Sequence, residues 1–297
     1  MSLTTSRGDA TVGQLCEAFG ISRQAYYSAR KAPRSEKAKE PGRNRRCERR
    51  GPWVSDATLM EKIQRVVAEF PAWGVRKVWA YLRRLGTIVS RKRVWKRMKA
   101  LGLTLPPVSE RPVPLRRGHV AVPESNRRWA TDLTTTWTAQ DGTVALVPVI
   151  DCGDRVVFDI EVTKSQESPV VLTPVERALQ EAFGSPTTVP EGLELRSDHG
   201  PQYTGSDCQE LCETWRLEHT FAPVGRPTGN AVAERFIQTL KVELIWTRDW
   251  PSIAELREAV KQWLHVYNHV RPHEALGWMT PAEKRAENLG VEFNQAA

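Results

Sequence analysis

The sequence predicts an α/β chain: a mixed sheet domain with helix and strand layers in its second half, preceded by all-α helix-turn-helix segments. Three observations carry that prediction. Apolar residues recur at helical spacing through the front third, three strand-like runs joined by tight turns follow Trp129, and helical and strand patterns then alternate. At 297 residues the chain has room for two or three domains, one with a substantial core. Charge divides the same way. Residues 1–120 hold 27 Lys and Arg against 9 Asp and Glu, and residues 121–297 hold 16 against 26, giving +18 and −10. A basic front on an acidic back predicts an arm that grips phosphates and a body with other work to do.

Five cysteines without paired spacing predict a reducing cytoplasm rather than a disulfide framework. With no signal-like segment and no long apolar run, the expectation is a soluble intracellular protein. In a bacterial setting it would sit in the cytoplasm, on the nucleoid when bound to DNA.

The elements follow in order. Residues 1–33 are expected to form a small helix-turn-helix. Val12, Leu15, Ala18 and Phe19 have helical spacing, Gly20 breaks, and Ser22 can cap a second helix through Tyr26 and Tyr27. Residues 34–52 form a basic linker. Residues 53–105 are expected to be a second helix-turn-helix DNA-binding domain with helices over 57–70, 75–85 and from Ser90 onward, Gly86 turning the chain. Val94, Trp95, Met98 and Leu101 pack the third helix. Its other side shows Arg91, Lys92, Arg93, Lys96, Arg97 and Lys99, a density of like charge that fits a recognition helix against a polyanion. Residues 106–124 are a Pro/Arg linker.

Residues 125–247 carry the sheet. Trp129, Leu133 and Trp137 alternate onto one face, and Asp132 points to the other in mid-strand. An aspartate there needs a partner or a cation. Asp141-Gly142 turns into an apolar run ending in Asp151; Pro148 inside that run predicts a bulge or edge position. Val156, Phe158, Ile160 and Val162 make the third strand. A helix over 169–183, a strand over 193–197 ending at Asp198, a helix carrying Leu211 and a strand near 217–221 come next. A helix then carries Glu234, with Ala233, Phe236, Leu240 and Leu244 on its apolar stripe and Lys241 sharing a face with Glu234. Residues 248–297 form a C-terminal helical extension with Leu256, Val260, Trp263, Leu264 and Tyr267 inward.

Asp132 in a strand, Asp198 at a strand end and Glu234 on a packed helix can converge over one site. Hard oxygen donors with few histidines nearby suit Mg²⁺ or Mn²⁺ rather than zinc. Two such ions about 3.5–4 Å apart would serve in-line attack on a phosphodiester. Singly, each acid reads as a cap, turn or surface residue sooner than as a ligand; the combination of strand, strand-end and helix contexts with a basic front half does not.

Trp129-Ala130-Thr131-Asp132, Ser197-Asp198-His199-Gly200-Pro201-Gln202-Tyr203, Asn230-Ala231-Val232-Ala233-Glu234-Arg235-Phe236 with Lys241, and Tyr267-Asn268-His269-Val270-Arg271-Pro272-His273 resemble the DDE transposases of bacterial insertion sequences, and among them the OrfB-type subunit of family three. These are similar to retroviral integrases in a ribonuclease-H-like core. The resemblance covers about residues 53–282. It implies that Asp132, Asp198 and Glu234 are the catalytic, metal-holding triad, with two Mg²⁺ (or Mn²⁺) ions per site. It implies that Lys241 meets transposon-end DNA, with Arg235, Gln202 and Tyr203 of the same motifs among the DNA contacts. It further implies terminal inverted repeats and target DNA as partners, a homo-oligomer on DNA, and an upstream OrfA-type partner. Nothing here matches the zinc-binding module of retroviral integrases. Cys208 and Cys212, one helical turn apart, read as small core residues. His199 and Asp151 read as turn residues; the alternatives are tuning of Asp198 or a DNA contact for His199, and a fourth acid at the metals for Asp151. A non-catalytic DNA-binding regulator and a structure-selective nuclease are the rival functions. Three intact acids argue against the first, and two upstream DNA-binding segments against the second.

Overall fold

The structure is a computed structural model and describes residues 12–20, 22, 54–106, 122–222 and 230–293. Two compact units divide the chain, Met1–Gly51 and Pro52–Ala297. In the first, helix α1 (Val12–Ala18) forms as expected; the second helix of that motif, the basic linker and residues 107–121 of the Pro/Arg linker lie outside the described residues, as does the segment 223–229 before the Glu234 helix.

The second unit opens with three helices. Ser55 caps α2 (Asp56–Glu69), its hydroxyl accepting from Thr58 N at 3.1 Å, and Ser90 caps α4 (Arg91–Ala100) through Arg93 N. Between them lies α3 (Val75–Arg84). Gly86 takes φ 75°, a left-handed turn that an L side chain resists. Leu59, Ile63, Val78, Leu82, Val94 and Met98 close the core of this module. Trp95 departs from the expectation. It is 44% exposed, with the Lys99 ammonium over its ring, because residue 95 follows the buried Val94 around the helix onto the solvent side.

The sheet contains β1 (Arg128–Thr131), β2 (Thr134–Thr138), β3 (Gly142–Asp151), β4 (Val157–Thr163), β5 (Glu194–Ser197) and β6 (Glu218–Phe221). β3 pairs antiparallel with β4 on one side and with β1 and β2 on the other; β1, β5 and β6 then run parallel. Taken as one interrupted strand, β1 and β2 give a five-position mixed sheet, the ribonuclease-H-like arrangement. Helices cover both faces. Ala130, Val144, Leu146 and Ile150 meet α8 (Ala231–Glu243) and α9 (Ile253–His265) on one side. Trp129, Val147 and Val149 meet α5 (Ser168–Phe183) and α7 (Ser206–Trp215) on the other. The period-2 alternation along β3 is what feeds both cores.

Two expectations about this sheet are corrected. The strand from Trp129 to Trp137 is not continuous: it breaks at Asp132–Leu133, and Trp137 is 59% exposed instead of joining Trp129. Pro148 occupies an interior strand rather than an edge, paired with Ile160, and the bulge lies beside it, at Val149/Ile150. The two facts are connected. Thr131 pairs with Val149 and Thr134 with Leu146, so the same register carried through the gap sets Asp132 opposite Pro148. A residue without an N–H cannot serve the ladder there.

The helical module and the C-terminal segment are bolted to the core. Lys77 of α3 pairs with Glu243 at the end of α8, and Arg271 reaches the same carboxylate at 3.0 Å. Arg84 meets Glu283 of α10 (Pro281–Leu289) at 2.6 Å. Asp151 lies at this end of the sheet. It accepts from Asn126 N and Gly153 N, and Arg285 of α10 stands 2.9 Å from Asp154 and 3.3 Å from Asp151. Asp151 is therefore a buried turn residue clamped by Arg285.

Candidate active site

Asp132 follows β1 directly. Its side of the strand is set by alternation: Trp129 faces the α5 core and Ala130 the α8 core, so Asp132 shares Ala130's side, beneath α8. Its Oδ1 accepts from the amide of Leu133 at 2.9 Å, which turns that N–H away from strand pairing. Asp198 sits one residue past β5, exposed, and its Oδ1 accepts from Gly200 N at 2.9 Å. That turn needs glycine: a Cβ on Gly200 would stand 3.0 Å from Asp198 Oδ1 and 2.9 Å from Gln202 Oε1.

Glu234 lies in the first turn of α8 and is exposed, while Ala233, Phe236, Ile237 and Leu240 are buried below it. Burying Phe236 and Leu240 contributes about 2 kcal/mol each, which seats the helix firmly. Asn230 begins that helix. It is 5% exposed, and its Nδ2 donates to the carbonyl of Thr131 at 3.0 Å. The helix carrying Glu234 is thus hung from the residue before Asp132. Sequence reasoning quoted Asn230 only as part of a motif; a small amide at a helix start was the available signal.

The electrostatics join these groups. Burial raises the Asp132 carboxyl to about 6, the Leu133 amide opposes this, the charges of Asp198 and Glu234 push it further up, and Lys241 pulls it down. So the structure brings Asp132, Asp198, Glu234 and Lys241 into one electrostatic neighbourhood. Such a donor set fits a hard divalent cation: the ligands are all oxygen, and both the burial and the neighbouring negative charge that raise the Asp132 carboxyl are offset by a cation. The three acids are neighbours rather than a closed cage. The tight cluster among the described residues is another one, Cys208, Cys212 and His219, whose ligand atoms all lie within 4.8 Å of one another.

The expected DNA contacts separate into groups. Arg235 is exposed, its guanidinium donating to Gln238 on its own helix at 2.9 Å, and Gln202 and Lys241 are half-buried beside the acids. Tyr203 is corrected: it is 1% exposed, with its hydroxyl 3.2 Å from Thr131 Oγ1, so it braces the end of β1 and is closed to DNA. On α4, Arg91, Lys92 and Lys96 are exposed, whereas Arg93 and Arg97 turn to Asp56 at 2.8 and 3.4 Å and join α4 to α2. His199 stacks on Phe221 with ring centroids 4.7 Å apart, as befits a turn residue.

Comparison with known proteins follows the same division of the chain. Residues 54–110 match the family described as an HTH-like domain, and residues 122–227 and 215–281 match two families described as integrase core domains. The chain is 29% identical over 246 residues to the InsD transposase of insertion element IS2A/D/F/H/I/K of Escherichia coli, covering 79% of this chain and 80% of that protein. Identity is also 29% to the InsD transposase of element IS2-9 from strain K12, covering 79% of both. Among solved structures, a chain of the simian T-cell lymphotropic virus intasome with PP2A regulatory subunit B56 gamma superposes with TM-score 0.48 at 19% identity, over 69% of this chain and 73% of that one. The HTLV-2 integrase catalytic core domain in complex with magnesium gives 0.40 at 18%, over 53% and 94%. The helix-turn-helix and integrase-core matches, with 29% identity over 79% of the chain to insertion-element transposases, support a DDE transposase of bacterial insertion sequences, of the OrfB type in family three.

Proposed function

We propose that this chain binds the terminal inverted repeats of its element and, with Asp132, Asp198 and Glu234 as the catalytic triad, cleaves a strand there and joins it to target DNA. The observation that carries the reading is the Asp132 carboxyl, raised to about 6 in part by the charges of Asp198 and Glu234. A strand end and a helix distant in sequence supply those charges, which supports a shared site.

Asp132, Asp198 and Glu234 hold Mg²⁺ (or Mn²⁺), two ions per site. When bound, the ions supply the activation of a water or a 3′-hydroxyl and the stabilisation of the leaving oxygen. The chain's own residues set the geometry. The Leu133 and Gly200 amides orient the two aspartates, and Asn230 fixes the start of α8 so that Glu234 stands over them. Lys241, one helical face along from Glu234, lies where it can meet a phosphate next to the reacting one. Arg235 and Gln202 extend that contact, and Arg91, Lys92 and Lys96 offer α4 to a groove farther along. A homo-oligomer on DNA and an upstream OrfA-type partner complete the proposed assembly. No described helix is long and apolar enough to cross a membrane.

The test incubates the full chain with labelled element ends and Mg²⁺. Asp198→Asn is expected to lose cleavage and joining by at least about 10³-fold while binding the ends with nearly unchanged affinity. Strand joining by that variant at the original rate would remove the triad assignment.

A further inference from the structure

On the α5 side of the sheet, away from the three acids, α7 presents two thiols to β6. Cys208 and Cys212 are one helical turn apart on α7, a spacing that sets two side chains on one face, and they are 0% and 5% exposed. His219 stands opposite on β6, its ring nitrogens 3.9 and 4.0 Å from Cys208 Sγ. The ligand atoms of all three lie within 4.8 Å of one another. A tetrahedral ion with metal–sulfur bonds of about 2.3 Å and metal–nitrogen bonds of about 2.0–2.1 Å sets sulfur and nitrogen about 3.5 Å apart. Small side-chain rotations close the difference.

The proton bookkeeping at the imidazole points the same way. Ser197 Oγ donates its single proton to the carbonyl of Asp198 at 3.0 Å, so toward His219 Nε2, also at 3.0 Å, it acts as acceptor. That places the ring proton on Nε2 and leaves the lone pair on Nδ1; the two ring nitrogens stand almost equally far from Cys208 Sγ, and a ring rotation turns Nδ1 to the thiols. Metal-ligating histidines are oriented in this way, one nitrogen donating to an oxygen while the other binds.

We propose that Cys208, Cys212 and His219 form a site for a thiophilic divalent cation of the zinc type, with a fourth position left to water. The soft donors separate it from the all-oxygen triad, which selects hard cations. Its function is positioning: the ion joins α7 to β6, and through Ser197 it steadies the backbone of Asp198.

The experiment uses the full chain, stripped with chelator and titrated with Co²⁺ as a spectroscopic stand-in for Zn²⁺. One equivalent is expected to develop thiolate-to-cobalt charge-transfer absorption, which Zn²⁺ then displaces. Cys208→Ser and Cys212→Ser should each abolish the band, and Ser197→Ala should weaken metal binding about 10–100-fold. Asp132→Asn should leave the band unchanged. Because variants within the site can misfold, the deciding sample is the triple variant Cys16→Ser, Cys47→Ser, Cys152→Ser, which leaves the pair as the only thiols. X-ray absorption of its zinc form is expected to show two sulfur neighbours at about 2.3 Å. An absent charge-transfer band, or a zinc shell of oxygen and nitrogen alone in the triple variant, overturns the proposal.

Discussion

Pro148 lies opposite Asp132 across the β1/β2–β3 ladder, by the register that pairs Thr131 with Val149 and Thr134 with Leu146. An imino acid in the middle of a sheet is ordinarily a defect. Here it interrupts pairing where an acid has to leave the ladder, and the Leu133 amide is free to hold the Asp132 carboxylate. Pro148→Val supplies the missing donor. The expected outcome is a chain at least as stable in urea denaturation, with strand joining slowed up to about 10²-fold by displacement of Asp132. Undiminished joining by this variant would mean the break has another cause.

Asp132 makes the chain's stability depend on pH in an unusual direction. Its folded value of about 6 lies above the ordinary 3.8, so between those values the folded chain binds the extra proton. Stability from this group is present at low pH and declines as pH rises from about 4 to about 6. Asp151 is raised to about 6 as well, by burial and by Asp154, and slopes the same way. Glu243 and Glu283 slope oppositely, so the informative quantity is a difference. Asp132→Asn is expected to raise the Tm of the metal-free chain at pH 7 by about 2–4 °C and to have little effect at pH 4, read by calorimetry. In the joining assay, more Mg²⁺ should move the acid limb of the pH profile downward.

Glu243 holds the module of α2–α4 against the core. Burial works to raise its carboxyl, yet Arg271 and Lys77 hold it below the ordinary value. Removing one member of a buried set leaves the others uncompensated. Glu243→Ala is therefore expected to cost about 3–5 kcal/mol in chemical denaturation, and Glu243→Gln less, because the amide still accepts from Arg271.

The exposed and the tethered cations of α4 should behave differently. Replacing Arg91, Lys92 and Lys96 together by Ala is expected to leave Tm unchanged and to lower the slope of log K against log salt by roughly 1 per residue engaged, measured by fluorescence anisotropy on end DNA. Arg93→Ala should instead lose about 1 kcal/mol of stability through its contacts to Asp56 and the Val54 carbonyl.

Local pattern sufficed where one element decides its own fate. The stripe Ala233, Phe236, Leu240 lies buried as its spacing foretold, and the caps at Ser55 and Ser90 are in place. It failed where a distant segment intervenes. Trp129, Leu133 and Trp137 read as one strand because nothing in those nine residues announces a proline seventeen positions beyond Thr131. Tyr203 and Arg93 looked available to DNA because their partners, Thr131 and Asp56, belong to other elements. The acids were legible as a set from their strand, strand-end and helix contexts, and the motifs named the same three. The clamp of Arg285 on Asp151 and Asp154 spans more than 130 residues and leaves no local trace.

Asn230 makes the Thr131 carbonyl a fixed datum for everything that follows it on α8. The connection from β6 consequently need not be of any particular length for Glu234 to arrive at its station, since the helix is indexed to the sheet rather than to the chain before it.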